Sequence, residues 1–114
     1  MRREAVLRFD GVYSMRHESG VYFVLRFYQN CTVCGGYVSE DPESLEAKFN
    51  PDTANHGVGS YSIHENHISF SFVKDEGSID YKCVLSRKSL KCDILSTITR
   101  NIIKWDYVFT KFSN

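Results

Sequence analysis

Apolar and polar residues alternate with a period of two along most of this chain, which is the spacing of a half-buried β-strand. The strongest stretch, residues 20–28, splits into Val21, Phe23, Leu25 and Phe27 on one face and Tyr22, Val24, Arg26 and Tyr28 on the other. Arg26 makes the second face the outer one, because a cation is hard to bury without a partner. Polar Gln29 and Asn30 interrupt the run, which restarts over residues 32–38, so a long hairpin is predicted. Its turn lacks the usual Asn-Gly. Asn30 suits a left-handed backbone, while Cys31 stands where a glycine would be easier.

The same alternation extends through three further turns. With a turn at Glu65-Asn66, Ile63 faces Ile68, Tyr61 faces Phe70 and Gly59 faces Phe72, while His64 and Ser62 meet His67 and Ser69 on the opposite side. Carried across residues 75–77, this register sets Phe72 against Ile79 and continues the apolar face through Tyr81, Cys83 and Leu85. A turn at residues 86–89 then places Leu85 opposite Leu90, Cys83 opposite Cys92 and Tyr81 opposite Ile94. A first strand over residues 8–15 uses Gly11 to bend or to approach another backbone closely, with Tyr13 on the same side. A last strand over residues 104–112 brings Trp105, Tyr107 and Phe109 inward. The prediction is an all-β chain of about eight antiparallel strands in an up-and-down meander, closed into a barrel because closure removes exposed sheet edges.

One segment breaks the period. Asp41 suits an N-cap, Pro42 the first helical position, and Leu45 and Phe49 form an apolar pair four residues apart, predicting a short helix near residues 42–49. Its single greasy edge is expected to cap the open end of the barrel.

At 114 residues, the chain reads as a single domain spanning 1–114. Fourteen basic and fourteen acidic residues are dispersed along it, which removes the basic footprint that a nucleic-acid binder needs. No run predicts a membrane span and no secretory signal is read, so a cytoplasmic protein with reduced thiols at its four cysteines is expected.

Candidate chemistry is sparse. The Cys31-x-x-Cys34 spacing permits a shared metal, but no second pair follows, and in regular strand the two would face opposite sides. Cys83 and Cys92 are close enough, as cross-strand neighbours, for a disulfide; two small apolar thiols on an inner wall is the favoured reading. His64 and His67 flank one turn and lack a third ligand. Asp80, Asp93 and Asp106 point outward by parity, and no nucleophile elbow or phosphate loop occurs. No cofactor or metal is implied, and nothing selects an enzyme.

The residues Gly11-Val12-Tyr13, the meander and the terminal Tyr107-Val108-Phe109 are similar to those of small lipocalin-like proteins of the calycin superfamily, tyrosine standing where that family's first-strand motif has tryptophan. The resemblance implies a barrel whose apolar interior holds a small hydrophobic ligand. The residues converging on that interior are Tyr13, Phe23, Leu25, Phe27, Tyr61, Phe70, Phe72, Tyr81, Trp105 and Tyr107, with Ile63 and Phe109 beside them and Phe49 from the capping helix. Inward tyrosines require hydroxyl partners, which points to a polar network, to water, or to the polar head of a ligand. The alternative is a protein-interaction module with a filled barrel, docking a partner or a second copy through the outer Tyr22, Val24 and Tyr28 stripe.

Overall fold

The structure is a computed structural model that describes residues 6–45 and 48–112. Eight strands, β1 (Gly11–Arg16), β2 (Tyr22–Phe27), β3 (Thr32–Val38), β4 (Gly57–His64), β5 (His67–Lys74), β6 (Gly77–Leu85), β7 (Ser89–Ser96) and β8 (Ile102–Lys111), form a meander. Each strand pairs antiparallel with the next, and β8 returns to β1, closing the barrel. The closing seam runs Tyr13 opposite Phe109 and Gly11 opposite Lys111. A Cβ on Gly11 would stand 2.1 Å from the Thr110 carbonyl oxygen, so the glycine expected to permit a close backbone approach does so here.

The alternation read from the sequence sets the register. Tyr61 pairs with Phe70, Ile63 with Ile68, Phe72 with Ile79, Tyr81 with Ile94, Cys83 with Cys92 and Leu85 with Leu90. The long hairpin turns with Cys31, not Asn30, in the left-handed region at φ 69°, while the Asn30 side-chain oxygen accepts from the Thr32 N–H. One inward position fails: Ile63 is 46% exposed although its partner Ile68 is buried. Strand β3 pairs with β4 only as far as Ser60, so Ile63 overhangs beyond the wall that would have covered it.

The helix expected near residues 42–49 is a 3-10 turn over Pro42–Ser44, with Asp41 at its N-cap and Pro42 opening it; Glu46 and Ala47 lie outside the described residues. Its position also differs from expectation. Leu45 and Phe49 are buried with Val12, Val24, Cys34 and Phe112, which lie on the outer side of the barrel wall. The segment therefore covers the side of β1 to β3 and leaves the barrel's end open. Gly36 permits this, because a Cβ there would meet the Phe49 ring at 3.0 Å. Arg26 fixes it from the wall, donating from Nη1 to the Phe49 carbonyl at 2.7 Å with its guanidinium over the rings of Tyr28 and Phe112. The Val24 stripe proposed for docking is consequently occupied by the chain itself, where burying each large apolar side chain contributes about 1.5–3 kcal/mol.

Because neighbouring strands alternate in direction, loops 17–21, 39–56, 75–76 and 97–101 gather at one end, here the upper one. The N-terminal residues and the turns at 28–31, 65–66 and 86–88 gather at the lower end, where Leu7 is buried in the inner cluster.

Candidate functional site

An eight-stranded barrel is just wide enough for its own side chains, and most of this interior is filled. Tyr13, Leu25, Phe27, Tyr61, Phe70, Phe72, Tyr81 and Tyr107 are buried in one cluster. Their rings interlock: Phe27 meets Tyr13 and Tyr61 edge-on, and Phe70 stacks on Tyr81 with centroids 4.5 Å apart. Phe72 lies flat against the wall at Gly35 and Gly57, where an added Cβ would come within 2.9 Å and 2.8 Å of it.

The inward tyrosine hydroxyls are partnered within the protein. Tyr13 accepts from the Arg8 N–H at 3.1 Å, Tyr61 donates to the Tyr28 carbonyl at 2.7 Å, and the Tyr81 and Tyr107 hydroxyls bond each other. Burial pushes the Tyr81 and Tyr107 hydroxyls well above the ordinary tyrosine range. These hydroxyls therefore find partners inside the protein without a ligand, and of the four residues Tyr81 also lines the cavity described next.

Space remains at the upper mouth. A cavity of about 320 Å³ is lined by Phe23, Ile79, Tyr81, Ile94, Ile103 and Trp105, with His56, Ser96, Thr99 and Asn101 around them. Phe23 and Trp105 make an aromatic wall, their centroids 4.8 Å apart and their planes tilted by 41°. Strand β4, which His56 precedes, lies half-way around the barrel from β8, so His56 stands across the mouth from Trp105. The His56 ring meets Phe72 edge-on at 5.4 Å, and its carbonyl accepts from the Lys74 ammonium. Burial, and then the Lys74 charge, lower its pKa, favouring the neutral imidazole. Of the residues expected to bind a ligand, Phe23, Tyr81 and Trp105 line this cavity; the other inner ones fill the barrel beneath it, and Phe49 lies on the outer wall.

His56 was not singled out by the sequence as anything but a loop histidine. A single imidazole in a loop rich in turn formers carries no periodicity, so only tertiary placement reveals it.

The other candidate groups do not assemble. Cys31 is exposed and Cys34 is buried in the outer cluster, its thiol pushed up to about 11 by burial. Cys83 and Cys92 face each other as free thiols inside the barrel, Sγ to Sγ 2.7 Å, and their contact together with burial raises the Cys92 pKa. His64 and His67 are exposed cross-strand partners, with His64 Nε2 3.4 Å from Glu65. Asp80 accepts from Ser71 and Ser78 on the outer face. Among the described residues, no three His, Cys, Asp or Glu side chains are grouped to hold a metal, and no helix is long and apolar enough to cross a membrane. A larger depression of about 520 Å³ lies along β4 to β7, where Ile63, Ile68, Cys83 and Val84 share the lining with Ser62, His64, His67, Ser69, Lys82 and Asp93; unlike the mouth cavity it carries charged side chains and has no aromatic wall.

No family model, curated protein or solved structure matches this chain.

Proposed function

We propose that this protein is a lipocalin-like barrel that binds a small, mostly hydrophobic molecule at its upper mouth and performs no chemistry on it. The observation that carries the reading is the mouth cavity itself: a concave, largely apolar space with an aromatic wall and a few neutral polar groups, which is the usual composition of a ligand pocket. Contents of the filled barrel beneath serve as its floor. The docking alternative has lost its stripe, since Tyr22, Val24 and Tyr28 lie under or beside the Leu45 and Phe49 segment.

Native mass spectrometry of freshly purified protein, set against its denatured mass, tests the reading together with titration by the neutral polarity-sensitive dye Nile red. A retained small molecule, or dye fluorescence that rises on binding and is lost in Ile79→Phe, supports it. A clean dimer with no retained mass and no dye response refutes it in favour of docking. Circular dichroism of Ile79→Phe confirms that the variant still folds.

A further inference from the structure

The mouth cavity also restricts what kind of molecule can enter, and this step rests on the binding reading given above. Three features of the lining act together. First, at about 320 Å³ the cavity is roughly twice the ~150 Å³ apolar cavity that suffices for benzene, so it has room for about two rings. Second, Phe23 from β2 and Trp105 from β8 present ring surface on one side, while Ile79 from β6 and Ile94 from β7 supply branched aliphatic surface beside it. Offset or edge-on ring contacts favour an aromatic guest on such a wall over a saturated one of equal size. Third, among the described residues that line the cavity there is no Asp, Glu, Lys or Arg.

The third feature decides the charge. A carboxylate or ammonium drawn into this space leaves water without gaining an opposite charge, and an unpaired buried ion is heavily penalised. Lys74 does not answer that need, because its ammonium is held by the His56 carbonyl and is not part of the lining. What the lining does offer is neutral hydrogen bonding from His56, Ser96, Thr99 and Asn101. A single hydroxyl, ketone or amide on the guest can use these groups.

We infer that the ligand is an uncharged, planar molecule of about two rings carrying one neutral polar group, and that the cavity selects against fatty acids and other organic anions. The test is isothermal titration calorimetry of the full chain with naphthol, naphthoate, decahydronaphthol and laurate at neutral pH. Naphthol is expected to bind, with naphthoate and laurate weaker by about tenfold or more and decahydronaphthol by several-fold. Naphthoate or laurate binding as tightly as naphthol overturns the charge inference and leaves the binding reading standing; if Lys74→Met then abolishes that binding, the ammonium is the missing partner. Equal affinity for decahydronaphthol overturns planarity. Binding by none of the four probes, with no mass retained in native spectra, overturns the binding reading as well. Ile79→Phe, which fills the cavity, should remove the naphthol signal, and naphthol binding that survives it places the guest elsewhere and refutes the inference.

Discussion

If the barrel beneath its mouth is solid, adding one methyl group to its inner wall must be costly, and the cost must vanish when the ring opposite is shortened. Gly35 on β3 is the place to add it. Its φ is not positive, so alanine is allowed there by the backbone. The new Cβ would stand 2.9 Å and 3.0 Å from Cε2 and Cζ of Phe72 and 3.1 Å from Cδ2 of Leu25. Overpacking of this kind costs about 1–3 kcal/mol, and the lower chain entropy of alanine returns about 0.4–1 kcal/mol. Gly35→Ala is therefore expected to destabilise by about 1–2 kcal/mol, lowering Tm by on the order of 5–10 °C. Phe72→Leu removes the two crowding ring atoms. Alone it should cost about 1–3 kcal/mol, between a methyl deletion and a full Phe→Ala truncation. In the Phe72→Leu background the penalty of Gly35→Ala should fall close to zero, a coupling of about 1–2 kcal/mol. Urea denaturation of the four proteins, with slopes compared to confirm two-state behaviour, measures it. Additivity within about 0.5 kcal/mol refutes the packing argument. A stabilising Gly35→Ala in the wild-type background refutes it more severely, because the ring would not be on the wall and the barrel would be hollow at that level.

Phe49→Ala should lower stability by about 3–5 kcal/mol, since the ring is 2% exposed, yet leave the Nile red affinity of the folded protein unchanged; a lost affinity at intact circular dichroism would move Phe49 to the interior. His56 gives a pH dependence. Its folded pKa lies below the ordinary value of about 6.5, so the unfolded chain takes up a proton that the fold resists. The stability it contributes is complete above about pH 6.5 and is lost as pH falls through the folded pKa. Denaturation midpoints of wild type and His56→Gln should diverge as pH falls below about 6.5, with the wild type losing more; parallel curves would show that His56 is solvated.

Register was legible in the sequence because it depends on one local rule. Once Glu65-Asn66 is the turn, every partner from Tyr61 to Ile94 follows by counting, and the barrel's pairs agree. What was not legible depends on the relation between strands distant in the chain. Ile63 obeys the parity rule and is still exposed, because the stagger of β3 against β4 ends the wall at Ser60. The Leu45 and Phe49 pair announced an apolar edge, but an edge fits an open barrel end and a barrel side equally well; the pair gave no means to choose between them. The Tyr22, Val24 and Tyr28 stripe and that edge were in fact two halves of one contact, each read alone as a surface seeking a partner. For the site, Phe23 and Trp105 were found by parity, while His56 depended on where the 39–56 loop ends.

The small residues of the wall decide what packs on each side of it. Gly35 and Gly36 are adjacent on β3, so they face opposite sides of one wall: Gly35 gives the Phe72 ring its seat inside, and Gly36 gives the Phe49 ring its seat outside. Large rings packed on both sides of a thin wall anchor β3. Near the upper rim the inward position opposite Ile79 is only Ser96 on β7, whereas Gly57 on β4 is covered by Phe72. At the lower end the equivalent space is taken by Leu7, Ile68, Leu85 and Leu90. The barrel is thus full where its inward residues are large, and the mouth cavity opens beside the small Ser96. The side chains missing at the rim define the guest: a volume framed by Phe23, Trp105 and Ile94, bounded by a neutral imidazole, and offering no countercharge to an ion.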